Sequence, residues 1–496
     1  MRLSTAIAAL LSLAPSEAWA KSRKLDSKKF QADIKTNRLM SNLEDLNDIA
    51  FDNGGNRAFG LPGYDASVDY IFKKISKVKN AKVWKQNFPA LFAFVDKIEL
   101  TVDDESIYVF GLTYSPSTSE EGITAELALG PEGAAGCDAS SYDDLDVKGK
   151  IVLVQRFRCP TGGTLAGRVI PAAAAGASAV IIYHDLTTNV TASSLSQPDP
   201  EKHVPAGFIN RADGLKLKER IEAGETLEAH FQQTQTIEER ITQNVIAETT
   251  GGDPRNVIML GAHLDSVQAG PGINDDRSGS SLILELFLAL SKYKTKNKIR
   301  FAWWGAEENG LLGSKYYTSN LSAKDVNNLL IYLNFDMVSK GFFGVADTDG
   351  SSHGSKAPPG SEVPEKIWVD YFTSKGLEVT PAVLTNGSDY APFWQNLNKP
   401  FGFLHTGTAV EQDPCYHQAC DTIENPDPKT LTINAKAAAH ILAVLDQKGT
   451  KLIPKTKVSE ASLKGLQQRS VGPDLAQIDE LEAMGLRHLG CGVHEI

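Results

Sequence analysis

The run KIRFAWWGAEENGLLGS sets Glu307 and Glu308 side by side just after an apolar, aromatic stretch, Ile299 to Trp304. Adjacent carboxylates at that place suit two jobs, one ligating a metal and the other moving a proton. An isolated pair of this kind is more often a solvated surface turn. Further segments change the reading. NVIMLGAHLDSV carries His263 and Asp265 behind another apolar run, and GPGINDDRSGSS brings Asp275 twelve residues beyond His263. LLIYLNFDMV ends its apolar stretch in Asp336, and CYHQACD holds His417 between Cys415 and Cys420. Each has an ordinary alternative: a hydrogen-bonded loop histidine, a helix-capping Asn274-Asp275-Asp276 turn, a disulfide-closed surface loop. Capping needs one such residue, not three, and an Asp behind a buried strand needs a metal, a cation or several N–H donors.

The elements that must position these groups follow from periodicity. Ile299 to Trp304, Val257 to Leu260 and the run before Asp336 read as strands buried on both faces, each delivering its acidic or imidazole group to the loop at its C-terminal end. Asn309-Gly310 punctuates the first before a short helix ending near Ser319, and a Gly-rich turn opens an apolar helix from Ser280 to Leu290. Catalytic groups of open α/β sheets collect at that edge. Two imidazoles and three or four carboxylates arriving in the order His, Asp, Glu, Asp, His suit two zinc ions, because a carboxylate can bridge ions about 3.5–4 Å apart.

GAHLDSV, GPGINDD, WWGAEENGLLGS, NFDM and CYHQACD together resemble the motif series of the secreted co-catalytic zinc aminopeptidases, the group of aminopeptidase Y and the fungal secreted leucine aminopeptidases. The resemblance covers most of the chain. It implies that His263 and Asp336 bind one zinc, that Glu308 and His417 bind the other, and that Asp275 bridges them. It also implies Glu307 as general base, Asp265 as the group orienting His263, and Tyr416 as a hydrogen-bond donor to the tetrahedral intermediate. Two zinc ions would bring the pKa of a water toward about 7. A free α-amine meeting Glu307 and Asp336 would make the enzyme an exopeptidase, with N-terminal, apolar, leucine-like residues as the expected substrates. Arg277 departs from the small residue usual at that place in the family. NGSDYAPFW resembles a pocket loop of the same family, which makes Asp389 and Tyr390 candidate pocket residues beside the reading of a structural turn.

Composition bounds the alternatives. A net charge of -11 argues against nucleic-acid binding, and at 42% hydrophobic and 22% charged the 496 residues can bury a large core in more than one domain. MRLSTAIAALLSLAPSEAWA reads as a signal peptide cut after Ala20, its apolar part shorter than the roughly 20 residues a membrane span needs. Secretion permits disulfides, and Cys137 with Cys159 and Cys415 with Cys420 are the natural pairs among five cysteines, leaving Cys491. Asn189, Asn320 and Asn386 head N-x-S/T sequons. His184 and His353 have no carboxylate at ligand spacing and read as surface histidines.

Alternating strands and helices predict a three-layer α/β sandwich around a mixed, mostly parallel sheet. Residues 21–114 form the N-terminal part of the catalytic domain, with a helix to about Lys77 and strands near Lys97 to Phe110. From residue 115 the texture changes, and GKIVLVQRFRC, AGRVIPAAAAGASAVIIYH and VPAGFINRADGLKLKERI resemble a protease-associated domain inserted over 115–235. The catalytic domain resumes over 236–450, and 451–496 reads as a tail. Peptides with a free N-terminus are the expected partners, without nucleic acid or membrane, and a monomer is favoured. Two other readings stay open: a carboxypeptidase or other zinc amidohydrolase of this fold, which needs a cation for a terminal carboxylate (Arg277 is the candidate), and a receptor-like protein without catalysis, which would be expected to have lost ligands.

Overall fold

The computed structural model describes residues 23–185, 189–191, 193–408 and 411–469. The expected signal peptide and Cys491 lie outside them. In chain order the principal elements are α1 (Thr36–Asp52), α2 (Pro62–Ile75), β1 (Ala81–Val102), β2 (Ile123–Leu129), β3 (Ile151–Gln155), α3 (Ala166–Ala174), β4 (Ala179–Tyr183), β5 (Ala206–Ile209), α4 (Arg211–Glu222) and β6 (Glu228–Thr249). There follow β7 (Asp253–His263), α5 (Arg277–Leu290), β8 (Asn297–Trp304), α6 (Leu312–Ser319), β9 (Leu329–Phe335), β10 (Gly344–Ala346), α7 (Glu362–Thr373), β11 (Thr380–Ala382), β12 (Phe401–His405), α8 (Pro428–Leu452) and α9 (Glu460–Arg469).

The sheet runs β11-β10-β12-β9-β7-β8-β6, continues from β6 into β2-β3-β4-β5, and carries β1 along β6. Strands β12, β9, β7 and β8 are mutually parallel, whereas β6 pairs antiparallel with β8 and β10 antiparallel with β12. The sheet is therefore mixed and parallel at its centre. Its central strands are buried on both faces, as their apolar runs require. Ile258, Leu260, Ile299, Phe301 and Trp303 pack on one side with α1, α2, α5 and α8, and Val257, Met259, Ala302 and Trp304 pack on the other, with Tyr317 of α6. This alternation is the period-2 signature of a sheet between two helical layers.

Register brings the site residues to one level. His263 pairs with Trp304, and Gly261 lies between Ala302 and Asn334, so the loops after β7, β8 and β9 leave the sheet together. Gly261 is also a point of close approach. A Cβ there would stand 2.2 Å from the Tyr332 hydroxyl and 2.5 Å from Trp304 Nε1, so glycine alone leaves room for the 2.8 Å bond between those two rings.

Three local expectations change. A strand starts at Ala81, well before Lys97, because continuous pairing with β6 rather than burial makes it; its side chains are largely exposed or half-buried. β6 itself runs unbroken through Gln235, where the inserted segment was expected to end. Residues 451–469 are not a loose tail: α9 buries Leu463, and Glu460 accepts a hydrogen bond from the Ala323 N–H at 3.1 Å. No helix among the described residues is long and apolar enough to cross a membrane.

Candidate metal centre

The five expected ligands meet at the C-terminal edge of the parallel strands. Asp275 stands between the two imidazoles, its Oδ1 3.0 Å from His263 Nε2 and its Oδ2 3.2 Å from His417 Nε2. Asp336 Oδ1 lies 3.5 Å from His263 Nε2, and Glu308 Oε2 lies 3.1 Å from His417 Nε2. Glu307 Oε2 is 3.9 Å from His263 Nε2, near this group but outside hydrogen-bond reach. Tyr416 stacks on the His417 ring, centroids 3.9 Å apart. Backbone strain gathers here: Ala306, Met337 and His417 all have φ between 52° and 55°, a left-handed conformation costing non-glycine residues roughly 1–2 kcal/mol each.

Asp265 faces the His263 ring and holds a second group as well. Its Oδ1 is 3.7 Å from His263 Nδ1, longer than a hydrogen bond, while its two oxygens accept the backbone N–H groups of Glu307 and Glu308 at 3.1 and 3.2 Å. It thus fixes the backbone of the Glu-Glu pair. Asp276, next to the central carboxylate, has an oxygen within 4.8 Å of ligand atoms of His263 and Asp336, and its oxygens also accept from Gly279 N, Met337 N and His263 N, capping α5 and joining three loops. Arg277 is fully buried, and its guanidinium has no hydrogen-bond partner among the described residues.

Several supporting groups were not singled out in the sequence, although Asp421, Asn334 and Ser388 stand inside the motifs CYHQACD, NFDM and NGSDYAPFW. Asp421 accepts from the backbone N–H groups of Asn274 and Asp275 at 2.8 and 3.0 Å, aiming the central carboxylate, and burial pushes its own carboxyl up to about 7. Arg57, in the Gly-rich loop between α1 and α2, is fully buried and donates to the carbonyls of Leu264, Pro271 and Gly272. Ser388 donates to Asp336 Oδ2 at 2.6 Å and receives Asn334, whose amide oxygen in turn accepts the Tyr332 hydroxyl. Thr191, from the inserted segment, donates to the His417 carbonyl at 2.6 Å. Arg57 and Thr191 had no such sequence signal.

The candidate pocket pair divides. Asp389 is buried against Ser314, with burial raising its carboxyl to about 8, whereas Tyr390 stacks on Phe401 in the core and accepts the Asn386 N–H. Disulfides join Cys137 to Cys159 and Cys415 to Cys420. Asn189 and Asn320 are exposed, and Asn386 is half-buried. His184 is not a surface histidine. It is 7% exposed, 2.8 Å from Asp185 and stacked on Phe208.

The electrostatics ask for cations. Burial holds the Glu307 carboxyl well above its ordinary range; His263 opposes this and Asp336 adds to it. Burial lowers His417, but Glu308 and Asp275 more than offset it and hold the ring at about 10. Glu308 Oε1 and Asp336 Oδ1 are buried with no hydrogen-bond donor. Burial drives the Glu307 and Glu308 carboxyls toward protonation, His263 and His417 are driven toward the imidazolium, and Asp275 between the two rings is held well below its ordinary value, a concentration of buried charge that a bound cation would balance. His263, Asp275, Glu308, Asp336 and His417 therefore fit divalent metal binding in both donor type and placement.

Comparison with known proteins agrees with this geometry. The model of Peptidase family M28 matches residues 244–442, and that of the PA domain matches residues 123–217. A protein of Aspergillus oryzae named probable leucine aminopeptidase 2 is 36% identical over 434 residues, 84% of this chain and 85% of its own. Among solved structures, the aminopeptidase from Aneurinibacillus sp. strain AM-1 superposes with a TM-score of 0.69 at 25% identity, covering 88% of this chain and 98% of that one. A zinc aminopeptidase from Bacillus subtilis gives 0.65 at 26% identity, covering 88% and 98%.

Proposed function

The chain belongs to Peptidase family M28, and from that premise we propose that it is a secreted aminopeptidase holding two zinc ions, releasing apolar, leucine-like residues from the free N-termini of peptides. One observation carries this reading: Asp275 offers one oxygen to each of two imidazoles, at 3.0 and 3.2 Å. A single-metal site has no use for a central carboxylate facing two separate donor sets. His263 and Asp336 would hold one ion, Glu308 and His417 the other, with Asp275 shared. When bound, zinc supplies Lewis-acid chemistry, polarising the scissile carbonyl and lowering the pKa of a water.

The chain's own groups do the rest. Asp265 fixes the backbone N–H of both glutamates, so Glu308 points to His417 while Glu307 stands beside His263 without a hydrogen bond to it. That placement suits a base that takes the proton of the attacking water and returns it to the leaving amine. Tyr416, anchored by stacking on His417, would donate where negative charge develops on the former carbonyl oxygen. The carboxylates of Glu307 and Asp336 would receive the substrate's α-ammonium, which restricts cleavage to the first residue.

Names of relatives such as probable leucine aminopeptidase 2 support the apolar preference. The two disulfides support secretion, and exposed Asn189 and Asn320 would then be available for glycosylation. The domain division over 21–114, 115–235 and 236–450 is part of the same proposal, with β6 running across the boundary at 235 as a strand shared by both parts. Arg277, the cation considered for a terminal carboxylate, is fully buried, which weighs against a carboxypeptidase. The test is titration of metal-free protein with zinc, following bound metal by mass spectrometry and turnover of a leucine anilide. Activity that reaches its maximum only near two ions per chain is expected; full activity at one, or none at two, would overturn the two-ion mechanism.

A further inference from the structure

Away from this centre, the loop DTDGSSHGSKA after β10 brings Asp347 and Asp349 to Glu365 in the first turn of α7, with one carboxylate oxygen of each within 4.8 Å of the others. Three acidic groups drawn together repel unless something holds them, and here one oxygen of each is engaged by backbone N–H groups. Asp347 Oδ2 accepts from Ser352 and His353 at 3.0 and 2.6 Å, Asp349 Oδ1 from Ser351 at 2.8 Å, and Glu365 Oε2 from Thr348 and Asp349 at 2.8 and 3.0 Å. The second oxygens are then left over. Asp347 is 2% exposed, and its Oδ1 is buried with no hydrogen-bond donor among the described residues. A buried carboxylate oxygen without a donor is costly, and the loop places two more carboxylates rather than a donor beside it. Hydrogen bonds from Ser351 hold the Asp349 carboxyl below its ordinary value, and its closeness to the Asp347 carboxyl and to Lys356 adds to this.

We propose that Asp347, Asp349 and Glu365 form a calcium site, separate from the zinc centre, that ties the loop after β10 to the start of α7. The donors are carboxylate oxygens, which suit hard cations rather than zinc. The nearby imidazole is not a donor: His353 Nε2 lies 3.3 Å from the Pro381 carbonyl. Acidic side chains one residue apart on a turn, followed by a glycine (Gly350, φ 74°), are also how calcium loops curl around an ion. Calcium is favoured over magnesium because the irregular loop and a carboxylate from a separate helix do not impose octahedral geometry. The ion would brace the sheet edge, where Gly344 of β10 pairs with His405 of β12, whose ring bonds the Asp336 carbonyl at 3.0 Å.

The experiment uses the full chain, zinc-loaded and freed of calcium, titrated with calcium by calorimetry and followed by thermal unfolding in 5 mM calcium or magnesium. Expected are one added calcium per chain with a Kd below about 1 mM, a rise in Tm, and a magnesium response at least tenfold weaker. In Asp349→Asn with Glu365→Gln, both at partly exposed positions, calcium affinity should fall at least tenfold while zinc content and leucine anilide turnover stay at wild-type level. No calcium heat and no Tm shift in the wild type, an equal response to magnesium, or wild-type calcium affinity in the double variant would each overturn the assignment.

Discussion

Replacing Thr191 by Val tests whether the inserted segment acts on the metal centre. Thr191 Oγ1 donates to the His417 carbonyl at 2.6 Å and accepts from Gln418 Nε2 at 3.1 Å, so one hydroxyl from outside the catalytic sheet holds the backbone of a metal ligand. His417 needs such help, because its φ of 55° is unfavourable for a residue with a side chain. Valine keeps the size and removes both bonds. Only the bond to the His417 carbonyl touches the ligand's own backbone; a neutral hydrogen bond contributes about 0.5–1.5 kcal/mol net, and at about 1.4 kcal/mol per factor of ten in affinity the ion held by Glu308 and His417 should bind roughly two- to tenfold more weakly. The ion held by His263 and Asp336 should be unaffected. The assay is competition against a chromophoric zinc chelator, resolved into two dissociation steps, with turnover at saturating zinc measured alongside. Equal weakening of both steps, or unchanged affinity at both in a protein that unfolds like wild type, would refute this coupling.

Other consequences can be checked directly. Glu307→Gln should keep both metals, measured by mass spectrometry, yet lose about 10²–10⁴-fold in kcat, the usual cost of removing a general base; near-wild-type turnover would remove Glu307 from that role. His417→Ala should instead lower zinc stoichiometry by one ion. Arg57→Met strips donors from the carbonyls of Leu264, Pro271 and Gly272, and at about 1–3 kcal/mol per buried group left unsatisfied it should lower denaturant stability by several kcal/mol. Reducing Cys415–Cys420 should weaken the Glu308–His417 ion before the fold is lost, because the bridge closes the short loop that carries His417. Unchanged zinc affinity in Cys415→Ser with Cys420→Ser would show that packing of Tyr416 suffices.

Three of the candidate ligands, His263, Glu308 and Asp336, were readable because each ends or follows an apolar run whose burial forces it to be a strand. Once β7, β8 and β9 are parallel and in register, His263, Asp336 and the glutamate pair have to emerge at one edge. His417 was readable for another reason, a disulfide-flanked motif on a loop. What the sequence withheld depends on contacts between distant loops. Arg57 stands in a turn-rich stretch whose composition says only "loop", and its burial is decided by carbonyls more than two hundred residues away. Asp265 was read only as a partner of the His263 imidazole, and its hold on the Glu-Glu backbone comes from a contact between two loops that the sequence does not show. His184 looked exposed because its partner, Phe208, arrives from a different strand. The strand over Ala81–Val102 alternates poorly in hydrophobicity, since an antiparallel partner along its whole length, and not a buried face, keeps it extended.

The central claim, an exopeptidase that reads a free α-amine at a two-zinc centre, is tested most directly by comparing leucine p-nitroanilide with its N-acetylated form as substrates of the zinc-loaded protein. The free amine should be hydrolysed and the acetylated compound left intact, because acetylation removes the basic amine that Glu307 and Asp336 would meet. Equal hydrolysis of both would contradict it.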